Sequence, residues 1–154
     1  MKITYWLNGK KRENHIAPDT MLLDFLRTCG CYSVKCGCET TNCGLCTVWF
    51  DGKPVLSCAV LAARIDGHEI TTLEGLQDEA REFAMYMGQE GSDQCGFCNP
   101  GFVMAVLAMV RELHNPTEEE MQDYLVGNLC RCTGYMGHLR ALRSYMAYKQ
   151  GVKA

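Results

Sequence analysis

Apolar and polar residues alternate at the start of the chain, with Ile3, Tyr5 and Leu7 set against Lys2, Thr4 and Trp6. A period of two predicts a half-buried strand, and Asn8-Gly9 supplies a hairpin turn into a second strand that ends near Ile16. Pro18-Asp19-Thr20 signals a helix start, with Asp19 or Thr20 as the cap of a short helix carrying Leu22, Leu23, Phe25 and Leu26. Asp51-Gly52 between Thr47 to Phe50 and Pro54 to Cys58 predicts another hairpin, and Glu69 to Thr72 reads as one more short strand.

From Leu76 the period becomes helical. Gln77 to Met87 forms one helical pattern, Pro100 opens a second that runs through Val110 and Leu113, and Pro116-Thr117 with Glu118 to Glu120 opens a third. A fourth pattern spans Tyr135 to Tyr148, repeating Leu139, Leu142, Tyr145 and Met146. The expected fold class is therefore α+β, with residues 1–75 a small sheet crossed by a helix and residues 76–154 a compact bundle of four helices. The boundary falls at Leu73 to Gly75, and Met104, Met109 and Met121 read as core residues.

The composition, 47% hydrophobic and 21% charged with a net charge of −3, excludes disordered, collagen-like and coiled-coil chains. Lys and Arg are scattered, so nucleic acid is not an expected partner. The longest apolar stretch, Gly101 to Val110, is too short for a membrane span, and Met1 to Trp6 carries neither an apolar leader core nor twin arginines. The expected location is cytoplasmic. Disulfides are disfavoured there, so the 11 cysteines point to metal or redox chemistry.

The cysteines divide by spacing. Cys38-x4-Cys43-x2-Cys46, followed by Cys58, is the plant-type arrangement for a [2Fe-2S] cluster, in which a tight loop gives three thiolates and a distant segment the fourth. Cys95-x2-Cys98 and Cys130-x-Cys132 make a second set of four. Zinc competes for this set, although a one-residue knuckle is unusual in structural zinc sites. Cys98 precedes the helix start at Asn99-Pro100-Gly101, and Cys130 follows a helix end at Gly127-Asn128. Amides at such ends donate hydrogen bonds to anionic sulfur.

Lys35-Cys36-Gly37-Cys38, Cys43-Gly44-Leu45-Cys46-Thr47-Val48, Gln94-Cys95-Gly96-Phe97-Cys98-Asn99-Pro100-Gly101 and Gly127-Asn128-Leu129-Cys130-Arg131-Cys132-Thr133-Gly134-Tyr135 together resemble the iron-sulfur subunit of the xanthine dehydrogenase family of molybdenum hydroxylases. The resemblance runs from about Ile3 to Tyr148 in one order. It implies a β-grasp ferredoxin-like domain over 1–75 and a pseudosymmetric four-helix-bundle domain over 76–154. It also implies one [2Fe-2S] cluster on Cys38, Cys43, Cys46 and Cys58, and another on Cys95, Cys98, Cys130 and Cys132. Gln94 would touch the pterin of a molybdopterin cofactor on a large catalytic subunit, and electrons would leave to FAD on a flavin subunit. Ser33-Val34-Lys35 before the first ligand loop resembles bacterial xanthine dehydrogenase components, which makes xanthine or another purine the expected substrate. Oxidisers of nicotinate, aldehydes, carbon monoxide and other heterocycles share these motifs.

One departure is the loop Glu39-Thr40-Thr41-Asn42, where similar proteins carry glycine. A positive φ is costlier there, Asn tolerating it better than Thr, and the hydroxyls of Thr40 and Thr41 offer replacement donors. Cys29, Cys31 and Cys36 read as small, partly buried thiols, with Cys36 the exception through its closeness to a ligand. His15, His68, His114 and His138 are dispersed and read as surface residues, and Arg131 offsets cluster charge or meets a partner. No nucleophile, acid-base pair or nucleotide loop emerges, so the expected role is electron relay within a larger hydroxylase. The rivals are a free two-cluster shuttle and a zinc-bound sensor.

Overall fold

In the computed structural model, which describes residues 1–151, the first half builds a five-stranded sheet in the order β2-β1-β5-β3-β4. β1 (Lys2–Leu7) and β2 (Lys10–His15) pair antiparallel across Asn8-Gly9, whose φ angles of 53° and 74° suit a primed hairpin turn. β3 (Thr47–Phe50) and β4 (Lys53–Leu56) pair likewise across Asp51-Gly52, and β5 (Glu69–Thr71) lies between β1 and β3, parallel to the first and antiparallel to the second. The inward residues Ile3, Tyr5 and Leu7 pack with Val48, Ile65 and Ile70 against α1 (Leu22–Thr28), which contributes Leu22, Leu23, Phe25 and Leu26.

Neither Asp19 nor Thr20 caps α1. Its start is held by the main chain instead: Leu22 N–H donates to the Val60 carbonyl (2.7 Å) and Ala62 N–H donates to the Thr20 carbonyl (2.8 Å). Strand-like pairing of Met21 with Leu61 thus takes the place of a capping side chain.

After a 3-10 turn at Leu73–Gly75 come α2 (Gln77–Gln89), α3 (Asn99–Glu112), α4 (Glu118–Leu125) and α5 (Met136–Lys149). Every residue of α3 from Gly101 to Met109 is buried, so this helix is the centre of a second core. α2, α4 and β3 pack against α3, and α5 packs on α2. Rings of Phe83, Phe102 and Tyr145 meet at 5.0 to 6.1 Å centroid separation. Met104, Met109 and Met121 all lie in this core. Thr117 and Glu120 close a reciprocal capping box at the start of α4.

The sheet and helices are joined through β3. Trp49 turns into the helical core, its Nε1–H donates to the Met104 carbonyl (3.0 Å), and Arg111 lies over its ring at 4.5 Å. The fold is α+β, as the two periodicities predict, and residues 152–154 at the end of the expected helical part lie outside the described residues. Among the described residues no helix is long and apolar enough to cross a membrane.

Candidate metal centres

The first thiol set is built by the long loop between α1 and β3. Cys46, 3% exposed, closes that loop, and the Ser57 N–H and Oγ both donate to its carbonyl at 3.2 and 2.8 Å. These two bonds draw the short turn after β4 against the loop and set Cys58 beside Cys46. Backbone N–H groups of Thr40 and Asn42 point at the Cys38 sulfur and bring its thiol down to about 6. Burial raises the Cys43 thiol, and burial with the adjoining Cys46 pushes Cys58 up to about 12.

The glycine-poor segment of this loop carries a positive φ at Thr41, 56°, and not at Asn42. A β-branched residue is strained in that region. Of the two hydroxyls expected as cluster donors, Thr41 Oγ1 donates instead to the Thr40 carbonyl (2.7 Å), while Thr40 Oγ1 accepts from Asn42 Nδ2 (3.1 Å). The leading donors to Cys38 are main-chain amides.

The second set comes from two helix junctions. Cys95 and Cys98 lie between α2 and α3, where Gly96 has φ 73° and the Asp93 carboxylate accepts from Asn99 Nδ2 (2.8 Å) to fix the start of α3. Cys98 is the N-cap residue of that helix. Cys130 and Cys132 lie between α4 and α5. The sulfurs pair across the two junctions: Cys132 stands 3.5 Å from Cys95, while Cys98, Cys130 and a ring nitrogen of His138 lie within 4.8 Å of one another. Burial and Cys130 push the Cys98 thiol up to about 12, and contact with Cys95 raises Cys132. Burial opposes ionisation of Cys130, but the Thr133 hydroxyl, 3.2 Å from its sulfur, and nearby amides bring it below the ordinary thiol range.

Cys46, Cys130 and Cys95 raise Cys58, Cys98 and Cys132 respectively, because a second negative charge beside the first is repelled. All eight become thiolates together only around cationic centres, and eight sulfur donors in two sets of four suit iron-sulfur clusters. Gln94 and Cys95 are exposed side by side, and Arg131 and Cys132 are exposed opposite them. His15, His68 and His114 are exposed as expected, but His138 is not: it is 3% exposed, with its ring stacked on Phe102 at 4.4 Å. Its place on the buried face of α5 follows the Leu142, Tyr145 and Met146 stripe, which overrides the polarity of one residue.

The structure brings the two sets to one cavity of about 610 Å³, lined by Cys38, Cys43, Cys95, Cys98, Cys130 and Cys132, with Cys46 and Cys58 outside its lining. The walls are stitched together where the ligand loops touch. Leu129 N–H donates to the Cys43 carbonyl (2.9 Å), and Asn128 Nδ2 donates to the carbonyls of Gly44 and Gly101 (3.4 Å each). A Cβ on Gly101 would stand 2.4 Å from the Gly44 oxygen, and one on Gly44 would stand 2.5 Å from the Gly127 oxygen. Sequence reasoning passed over this seam, although glycines within three residues of a ligand, Gly44 in the first set and Gly101 and Gly127 in the second, were its visible signal. Cys29, near the Tyr5 hydroxyl at 3.5 Å, the buried Cys31 and the exposed Cys36 remain free thiols outside the cavity lining.

Residues 72–143 match the family described as "[2Fe-2S] binding domain". The chain is 43% identical to the xanthine dehydrogenase iron-sulfur-binding subunit of Escherichia coli O157:H7, over 84% of each chain. It is 41% identical to the nicotinate dehydrogenase small FeS subunit of Eubacterium barkeri, over 89% of each. A chain of quinoline 2-oxidoreductase from Pseudomonas putida 86 superposes with a TM-score of 0.87 at 34% identity, covering 99% of this chain and 98% of its own.

Proposed function

The chain belongs to the iron-sulfur subunits of the xanthine dehydrogenase family of molybdenum hydroxylases, and from that membership we propose that it carries electrons through two [2Fe-2S] clusters held in two domains. Residues 1–75 form the ferredoxin-like β-grasp domain, with Cys38, Cys43, Cys46 and Cys58 as ligands. The second domain, assigned to residues 76–154 and described through residue 151, is the four-helix bundle, with Cys95, Cys98, Cys130 and Cys132 as ligands.

The observation that carries this reading is the pairing of sulfurs from separate segments around a shared cavity, with ligand loops joined by the Leu129 to Cys43 hydrogen bond. When bound, each cluster accepts and releases one electron. The protein's part is to fix the ligands and shield them. Buried Cys43 and Cys46 hold the inner side of one set, and the seam of Gly44, Gly101 and Asn128 holds the two sets at one separation. Amides aimed at Cys38, and the Thr133 hydroxyl aimed at Cys130, offset thiolate charge.

Exposed Gln94, beside exposed Cys95, faces outward where a large molybdopterin subunit would dock, with its amide available to the pterin. Exposed Thr40, Thr41 and Asn42 beside Cys38 offer a second surface for electrons to leave by, toward a flavin subunit carrying FAD. We assign xanthine or another purine as the substrate of the complex and the cytoplasm as its location. The similarity to an Escherichia coli xanthine dehydrogenase subunit supports that substrate, and nicotinate is the next candidate on the similarity to the Eubacterium barkeri subunit.

The test is the complex purified with its partners. Four iron and four acid-labile sulfide per chain, two distinguishable reduced [2Fe-2S] electron-spin signals, and purine-dependent dye reduction are expected. Cys132→Ser should disturb one of the two signals and spare the other. Zinc in place of iron, a single cluster, or isolation without a molybdopterin subunit would overturn the reading.

A further inference from the structure

Buried His138 makes a chain of contacts to a ligand sulfur. Its Nδ1 lies 3.4 Å from Thr133 Oγ1, which lies 3.2 Å from Cys130 Sγ and also accepts from the Tyr135 N–H at 3.2 Å. Its Nε2 is buried and meets no hydrogen-bond partner among the described residues. A neutral imidazole carries a single N–H, on one ring nitrogen or the other.

That one proton has two possible seats, and they differ in what Thr133 can do. With the proton on Nε2, Nδ1 is an acceptor and competes with Cys130 for the Thr133 hydroxyl proton. With the proton on Nδ1, the ring donates to Thr133 Oγ1, and the hydroxyl proton is free to point at sulfur. A metal-bound thiolate accepts hydrogen bonds and cannot donate, and bonds to ionised acceptors are the stronger kind. The second arrangement therefore wins once Cys130 is a thiolate. Burying an unpaired Nε2 costs stability, so a leucine would pack at least as well in this apolar setting of Phe102, Leu139 and Leu142. Packing does not account for a histidine here, whereas its Nδ1 does.

We propose that His138 is a positioning residue: it holds Thr133 as a hydrogen-bond donor to Cys130 and so raises the reduction potential of the cluster on Cys95, Cys98, Cys130 and Cys132. This rests on the ligand assignment proposed above. Reduction adds negative charge that a donor at sulfur stabilises, which is how hydrogen bonding sets such potentials.

The test is a potentiometric electron-spin titration of the complex, comparing wild type with His138→Leu, His138→Asn, Thr133→Val and the Thr133→Val/His138→Leu pair. Iron and sulfide are measured first, since loss of one cluster from the wild type would sink the ligand assignment before any potential is compared. At the wild-type midpoint, His138→Leu is expected to lower the reduced-to-oxidised ratio of the helical-domain cluster about three- to tenfold, tenfold being 59 mV for one electron. The other cluster serves as an unchanged internal reference. Asn, which can place an amide N–H near the position of Nδ1, should restore the ratio to within about twofold. His138→Leu should add nothing in the Thr133→Val background, and its thermal midpoint should equal or exceed that of wild type.

An unchanged ratio in His138→Leu, or a full additive effect in the double variant, would overturn the relay. So would loss of one iron in His138→Leu, which would make the ring a ligand. If the Leu variant fails to fold, Thr133→Val and His138→Asn still decide: Thr133→Val must lower the ratio and Asn must keep it.

Discussion

Gly101→Ala places one methyl group where three chain segments converge. The new Cβ would stand 2.4 Å from the Gly44 oxygen and 2.8 Å from Leu45 Cα, while ordinary contacts begin near 3.4 Å, so α3 and the first ligand loop must part by about 1 Å. Both obstructing atoms are backbone, which cannot swing aside as a side chain can. Overpacking of this kind costs about 1–3 kcal/mol, and the helix preference of Ala over Gly returns at most about 1 kcal/mol. With that 1 kcal/mol returned in full, the net loss is at most about 2 kcal/mol, a fall of up to roughly 4–8 °C in thermal midpoint for a chain of this size.

Separation also stretches the bonds from Asn128 to Gly44 and Gly101, both already 3.4 Å, and the Leu129 to Cys43 bond. On the two-cluster arrangement proposed above, the magnetic interaction between the reduced clusters should weaken while each keeps its own signal. Gly88→Ala is the matched control, because it lies in α2 with nothing within 4 Å of the added carbon and should be neutral or stabilising by up to about 1 kcal/mol. The comparison uses calorimetry and low-temperature electron-spin resonance on the purified complex. Equal rises in thermal midpoint for both variants, with inter-cluster coupling intact, would refute the seam as the element that sets cluster separation.

Thr41→Gly removes a β-branched residue from a φ of 56° and should stabilise the reconstituted protein by about 1 kcal/mol, read as a higher thermal midpoint with the spectrum of the Cys38 cluster preserved. Thr117→Ala opens the capping box of α4 and should cost about 1 kcal/mol. The Thr117 N–H, which the substitution keeps, is the main group holding the Glu120 carboxyl below its usual range, and the hydroxyl adds a smaller part; that carboxyl-linked stability is full above about pH 4.3 and is lost in both proteins as the pH falls through the lower folded value, so the gap between wild-type and variant midpoints should narrow only slightly there. Glu74→Gln weakens the acceptor of Ser33 N–H (2.9 Å), Ser33 Oγ (2.6 Å) and Thr72 Oγ1 (2.6 Å), and amide exchange around Ser33 and Val34 should accelerate while that of α3 stays unchanged.

The parts of the fold that could be read from sequence are those whose cause is local. Asn8-Gly9 and Asp51-Gly52 specify their own backbone angles, and Thr117 with Glu120 specifies its own cap, so hairpins and α4 fall where the residues say. The start of α1 is different in kind. Asp19 and Thr20 are competent caps, but Met21 pairs with Leu61, forty residues away, and that pairing supplies the bonds the caps would have made. No local pattern carries it.

The candidate site divides along the same line. Cysteine spacing is in part a local record, since Cys38-x4-Cys43-x2-Cys46, Cys95-x2-Cys98 and Cys130-x-Cys132 are short runs that group the thiols on sequence alone, with Cys58 added from a separate segment. What surrounds the sulfurs is tertiary. Thr41 takes the strained φ because backbone amides of Thr40 and Asn42 must both turn toward Cys38, and a loop that serves one sulfur from both sides leaves the residue between them no ordinary conformation. His138 is polar by identity and buried by position, because its register on α5 is set by Leu142, Tyr145 and Met146 and brings it to the Cys98 and Cys130 sulfurs. The grouping of the thiols is thus legible in one dimension, whereas burial, amide orientation and the contacts of Thr133 exist only where the folded loops meet. Substitutions at Thr41, Thr133 and His138 should therefore move cluster potentials with iron content unchanged, whereas substitutions at the eight cysteines should change iron content itself.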